Sequence, residues 1–190
     1  MTVHSVWKTS IRFTLITTLL LGLGYPLVVT GIAGILFSRK AAGSLITNNG
    51  QVIGSALLAQ RFTSDRYFHP RPSAAGNGYD AIASGGSNLA QSNAKFVERT
   101  QHDIDELSAE NHSTPVPIDL VTTSGSGLDP EITPDAAFFQ IPRIAKARGL
   151  SQDRVRQLIQ QHITGRQLGL LGEPRVNVLL LNMALDKLTK

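Results

Sequence analysis

The sequence predicts an α+β protein with one N-terminal transmembrane helix, followed by a single soluble, mainly helical domain with a small β-sheet or hairpin. Two observations carry that prediction. No charged residue occurs from Phe13 to Ser38, a run longer than the roughly 20 apolar residues needed to cross the hydrocarbon core. The stretch of about 150 residues after it has the size of one ordinary domain, and its capped helices outweigh its strand signals.

The span is bounded by Arg12 on one side and by Arg39 and Lys40 on the other. Its polar members, Thr14, Thr17, Thr18 and Thr30, can bond back to the helix's own carbonyls. A boundary reading gives residues 1–10 as a short flank, 11–37 as the transmembrane helix and 38–190 as a soluble extracytoplasmic (periplasmic) domain. A signal-cleaved secreted binding domain is the competing reading, since Lys8 and Arg12 form a basic region and Gly31-Ile32-Ala33 has cleavage-like spacing. The apolar run exceeds a usual signal core and continues through Ile35-Leu36-Phe37, which favours an anchor in the cytoplasmic (inner) membrane. Flanking charges are nearly balanced and leave the orientation open. The absence of cysteine is compatible with export.

Inside the span, Gly22, Gly24, Thr30, Gly31 and Gly34 are small, and Thr30-x-x-x-Gly34 is a pair that lets another helix approach closely. Pro26 frees a backbone carbonyl and predicts a kink.

After the span, Asn49-Gly50 between short apolar segments is a hairpin signal. Residues 62–86 hold prolines, glycines and aromatics without periodicity and read as a long ordered loop. Asn88–Glu110 reads as a helix with Phe96, Val97, Ile104 and Leu107 on one face. Ile118–Thr122 reads as a short strand. Thr133-Pro134 starts a helix that Pro142 divides and Gly149 ends. Ser151 caps the next helix, with Val155, Leu158, Ile159 and Ile163 on one face. A Gly-rich turn spans Gly165–Gly172. Asn177 either caps a final helix or lies in a strand through Val176-Asn177-Val178.

Several motifs are missing. The sequence has no Gly-x-x-x-x-Gly-Lys-[Ser/Thr] phosphate loop, no Asp-Lys-Thr-Gly phosphorylation site and no Gly-x-Ser-x-Gly elbow. The five histidines are isolated, with no metal-ligand spacing. Arg143, Lys146 and Arg148 alternate with apolar residues on a predicted helix, as on a solvated face, so no nucleic-acid partner is expected. No catalytic residue is assigned.

The string Gln60-Arg61-Phe62-Thr63-Ser64-Asp65-Arg66-Tyr67-Phe68-His69-Pro70-Arg71-Pro72 is followed by Tyr79-Asp80-Ala81 and Ser84-Gly85-Gly86-Ser87-Asn88-Leu89. Further on come Asp119 to Pro134, then Gln140-Ile141-Pro142-Arg143. These motifs resemble the KdpC family, the C subunit of the bacterial high-affinity potassium-transporting ATPase. Tyr25-Pro26-Leu27, Gly43-Ser44-Leu45 and Val176-Asn177-Val178 fit it too, so the resemblance covers nearly the whole chain in order. It implies a complex with a channel-like potassium-binding subunit, a P-type ATPase subunit and a small membrane peptide. It also implies an accessory role, described for the family as that of a catalytic chaperone raising the ATPase subunit's affinity for ATP.

Two sets of site residues follow. Ser84, Gly85, Gly86, Ser87 and Asn88 would place backbone amides at a helix start, the usual anion geometry, if ATP were shared with the ATPase subunit; the alternative is a Gly-rich helix cap. Phe62, Tyr67, Phe68 and Arg71 in the long loop, with Gly22, Thr30 and Gly34 in the span, are expected to meet partner subunits. The competing reading of the aromatics is that they fill the domain's own core.

Overall fold

Helix begins upstream of the apolar run, at Val3, in the computed structural model, which describes residues 3–48 and 50–188. The chain divides into two units, Met1–Leu45 and Ile46–Lys190. In the first, α1 (Val3–Thr17) passes into a π-helical stretch (Thr18–Gly24) and then into α2 (Tyr25–Leu36). Val6–Leu36 is 31 residues long and its most apolar 18 residues have mean hydropathy 2.0, long and apolar enough to cross a membrane. At 1.5 Å per residue it reaches roughly 46 Å, beyond the hydrocarbon thickness. The expected flank at residues 1–10 is therefore helical from Val3 onward, with Met1 and Thr2 outside the described residues. Lys8 and Arg12 sit on the helix, where long stems let their charges reach the headgroups.

Pro26 has no N–H to return to the carbonyl of Gly22, and its ring crowds that carbonyl. The turn before it widens in response: the Tyr25 N–H donates to Leu20 O, five residues back, the π pattern. The expected perturbation at Pro26 thus takes the form of a change in hydrogen-bond register. Thr17 Oγ1 donates to Phe13 O at 2.8 Å, the back-bonding expected of a hydroxyl in an apolar helix. The helix breaks at Phe37, and a single turn, α3 (Ser38–Ala41), follows.

In the second unit, β1 (Leu45–Asn48) pairs with β2 (Gln51–Ser55). Gly50 adopts φ +80° in the connecting turn, while Asn49, the other half of the expected Asn-Gly pair, lies outside the described residues. From Ala56 to Asn93 the chain has neither helix nor strand, yet its backbone is tied down. Ser73 Oγ donates to Gly127 O at 2.6 Å and accepts from the Tyr79 N–H at 2.7 Å. The Gly85 N–H donates to Ser126 O at 2.9 Å. Gly127 has φ +66°, and a Cβ there would lie 2.6 Å from Gly85 O and 2.7 Å from Ala75 N. Three loops thus meet backbone to backbone at a point that only glycine fits.

The next helix, α4, spans Ala94–Glu110 rather than starting at Asn88. Asn93 caps it, its Oδ1 accepting from the Lys95 N–H at 2.9 Å, whereas Asn88 has φ +51° and cannot continue into a helix. Ile118–Leu120 forms a 3₁₀ turn, not the expected strand. Asp119, Leu120 and Val121 are all buried in succession, a pattern that strand alternation cannot produce. Asp119 faces inward because its carboxylate accepts from the Thr133 N–H at 2.7 Å.

Thr133 then caps α5 (Pro134–Phe139), accepting from the Ala136 N–H at 3.2 Å. Pro142 divides the helical run as expected, and α6 (Ile141–Arg148) ends at Gly149 with φ +66°. Ser151 caps α7 (Gln152–His162), which buries Val155, Leu158 and Ile159. Ile163, expected on the same helix face, instead opens a strand. A three-stranded antiparallel sheet has the order β3 (Glu131–Ile132), β5 (Arg175–Asn177), β4 (Ile163–Thr164), with Ile132 and Ile163 both opposite Val176. Both readings of Asn177 hold: it ends β5, and its Oδ1 accepts from the Leu180 N–H at 3.1 Å to start α8 (Val178–Leu188). Ile141, Ile144, Ile159, Val176, Leu181 and Leu185 form the centre of the core, and Phe68 from the long loop joins them.

Candidate partner-binding site

The loop through Phe62–Pro72 enters the core without a neighbouring strand, so its peptide groups need other partners. Phe68 is wholly buried (0 % exposed). Its N–H donates to Asn182 Oδ1 at 2.8 Å, and its carbonyl accepts from Asn182 Nδ2 at 2.9 Å. His69 is held in the same way by Gln140: its N–H donates to Oε1 at 2.7 Å and its carbonyl accepts from Nε2 at 3.1 Å. Asn182 lies on α8, and Gln140 sits at the junction between α5 and α6. Two buried amides therefore do for this loop what a strand ladder does elsewhere. Gln140 Nε2 also donates to Ala136 O at 3.2 Å, which satisfies the broken helix near Pro142.

Two arginines of α6 extend the clamp. Arg143 donates to the carbonyls of Asp65 and Tyr67 at 3.0 Å each, to Gln140 Oε1 at 2.6 Å and to Glu110 at 3.0 Å. Arg148 donates to Arg66 O and to Asp186 Oδ1, both at 2.7 Å, and its guanidinium lies 4.8 Å from the centre of the Tyr67 ring. The Tyr67 hydroxyl donates to the other oxygen of Asp186 at 3.2 Å. Phe62 stacks at a tilt on Tyr67, with ring centres 5.5 Å apart. On the far side of the loop, Arg71 donates to Thr122 O and Asp129 Oδ2, both at 3.4 Å, while the Tyr79 hydroxyl donates to Arg71 O at 2.7 Å.

Burial pushes the Tyr79 phenol up to about 12, with Arg61 working in the opposite direction. Burial, reinforced by the charge of Arg143, holds the His69 imidazole below its ordinary value of 6.5; the Ser64 carbonyl and Asp65 offset part of that. His69 is therefore neutral in the folded domain near pH 7.

The expected partner residues thus fall into different environments. Phe62, Tyr67 and Arg71 are partly exposed beside the loop's outer rim at Thr63–Arg66, whereas Phe68 points into the core. Gln140 and Asn182 form the clamp; only Gln140 stood out in the sequence, as part of the Gln140-Ile141-Pro142-Arg143 motif, and no local signal tied either to the loop. The Ser84–Asn88 turn lies upstream of the α4 start, and Gly85's N–H is engaged by Ser126 O, so it does not form amides at a helix start. In the span, no atom lies within 4 Å of where a Cβ would sit on Gly31 or Gly34, leaving both open on the helix surface.

A family model described as KdpC, the K+-transporting ATPase c chain, matches residues 7–187 and so includes the span. A protein of Koribacter versatilis named "Potassium-transporting ATPase KdpC subunit" is 54 % identical over 178 residues, covering 94 % of this chain and 92 % of the relative. Proteins of the same name from Methylobacterium nodulans and Acidobacterium capsulatum are each 56 % identical, over 90 % and 95 % of this chain and 91 % and 97 % of their own lengths.

Replacing Asn182 with Leu keeps the volume but leaves the Phe68 N–H and carbonyl unpaired. Urea unfolding should show a loss of about 2–6 kcal/mol, one to three per stranded group; an unchanged midpoint contradicts the clamp. His69 adds a pH signature. Its folded pKa lies below the unfolded value, so between the two the unfolded chain binds more protons and stability rises with pH. The contribution is full above about 6.5 and is lost as pH drops below that toward the folded value. Stability measured from pH 7.5 to pH 5 should therefore fall more steeply in the natural protein than in His69→Gln, and identical slopes would contradict the assignment.

Proposed function

The chain belongs to the KdpC family, and on that premise we propose that it is the accessory, non-hydrolysing subunit of an ATP-driven potassium uptake complex. The observation that carries the reading is the family match over residues 7–187, which takes in the apolar span. The chain supports it by lacking the phosphate loop and the Asp-Lys-Thr-Gly site that hydrolysis would need. Its expected partners are a channel-like potassium-binding subunit, a P-type ATPase subunit and a small membrane peptide.

The soluble domain is assigned to the extracytoplasmic side of the inner membrane. There it cannot meet cytoplasmic ATP, so a chaperone-like rise in the ATPase subunit's nucleotide affinity is a coupling free energy transmitted through protein. The engaged Gly85 amide agrees with this division of labour. The outer rim of the clamped loop, with Phe62, Tyr67 and Arg71, is the proposed contact with the channel-like subunit, and buried Phe68 positions it. Aromatic and arginine side chains are the usual anchors of such contacts.

The span is the second contact. Gly34 and Thr30, one helical turn apart, with Gly22 further along, offer a surface where a partner helix can pack closely in lipid. Gly34→Leu fills that surface without touching the soluble domain. Co-purification of the ATPase and channel-like subunits with the tagged chain should fall about tenfold, equivalent to roughly 1.4 kcal/mol, and potassium-stimulated ATP hydrolysis should fall with it. Normal recovery of the complex would turn this face of the helix toward lipid and remove it from the assembly.

A further inference from the structure

The turn between β4 and β5 carries three strongly exposed leucines. Leu168, Leu170 and Leu171 are 91, 81 and 60 % exposed. Isolated exposed residues such as Ile82 need no explanation, but three leucines on one tip do. From Gln167 to Gly172 the tip holds no charge. Below it, Arg166 Nη2 bonds both oxygens of Glu173 at 2.9 and 2.7 Å, closing the neck with a neutral pair.

The backbone of the tip is largely closed on itself. The N–H groups of Gln167, Gly169, Leu170 and Leu171 all donate to carbonyls within the tip, to Leu171, Arg166 and Gln167 (twice) in turn. Such closure is common in turns, and it also leaves few donors to be stranded if the tip leaves water. Leu168 sits at φ +53°, an unfavourable region for a branched side chain, and is displayed outward there. Protein contact surfaces favour Trp, Tyr and Arg and under-use Leu, and between Gln167 and Gly172 the tip has none of the favoured three.

We propose that the Leu168–Leu171 tip is a second membrane contact, seating its leucines at the boundary between lipid headgroups and acyl chains. The span brings the bilayer within reach: only residues 37–45 separate the end of α2 from the second unit, at most roughly 30 Å of extended chain. Tethering at that length gives a weak lipid contact a high effective concentration. Because the neck arginine is already paired, the contact requires no anionic lipid. It depends on the span but not on the role proposed for the complex.

The test uses the full-length chain in phosphatidylcholine vesicles. Trp7 is the single tryptophan, so Trp7→Phe gives a dark background for an indole introduced by Leu170→Trp, or by Leu168→Trp on the same tip. With acyl chains brominated near the headgroup, the tip indole should be quenched about threefold and emit at shorter wavelength, as expected for shallow insertion. The same probe at Ile82→Trp should not change. Equal, weak quenching at both positions would overturn the proposal. It would also fall if the tip indole shifts only when the other subunits are added and stays unquenched by bromine, because the partner would then be protein.

Discussion

The soluble domain depends on burying a loop that has no strand ladder to satisfy its backbone. Phe68 fills the centre of the core, and its burial carries its own peptide groups away from water and partly buries those of His69. Left unpaired, the two Phe68 groups would cost about 2–6 kcal/mol at one to three each, and the partly buried His69 pair less, a large share of the stability of a domain. Asn182 and Gln140 remove that cost by bonding both polar groups of one residue each. Arg143 and Arg148 then take the carbonyls on the approach to the buried residues. The clamp thus draws one loop, the α5–α6 junction and α8 into a single packing unit, and the remaining loops build on it through Arg71, Tyr79 and Gly127.

The two units of the chain answer to different solvents. In the span the backbone is satisfied by its own helix, and its most apolar 18 residues are unburied. Even the disturbance at Pro26 is handled within the helix, by shifting to the π pattern. In the soluble unit, long-range side-chain bonds to backbone do the equivalent work. On the proposed placement, a signal from this domain reaches the nucleotide site only through contacts with other subunits. A rigidly clamped loop rim and an open glycine surface on the span are suited to making such contacts.

Local physics was legible in the sequence. Thr133-Pro134, Ser151 and Gly149 mark helix ends because caps act over three or four residues, and the uncharged run marks the span. Asn88 misled because a second capping asparagine, Asn93, lies five residues on, and nothing local distinguishes them. Ile118–Thr122 has strand-like composition, but Asp119 is turned inward by Thr133, a tertiary bond with no local trace. The clamp was illegible for the same reason: Phe68 and Asn182 are 114 positions apart. Motif resemblance had singled out the loop and Gln140 without indicating that they bond each other.

The placement of the domain decides whether the influence on ATP use proposed for it would be indirect. Ser113 is exposed, and the chain contains no cysteine of its own, so Ser113→Cys gives one reporter on a clean background. Cells with a permeabilised outer membrane are treated with a membrane-impermeant thiol reagent, and labelling is compared with that after lysis. An extracytoplasmic domain predicts full labelling in unlysed cells. Labelling that appears only after lysis would put the domain in the cytoplasm and make direct contact with nucleotide the simpler mechanism.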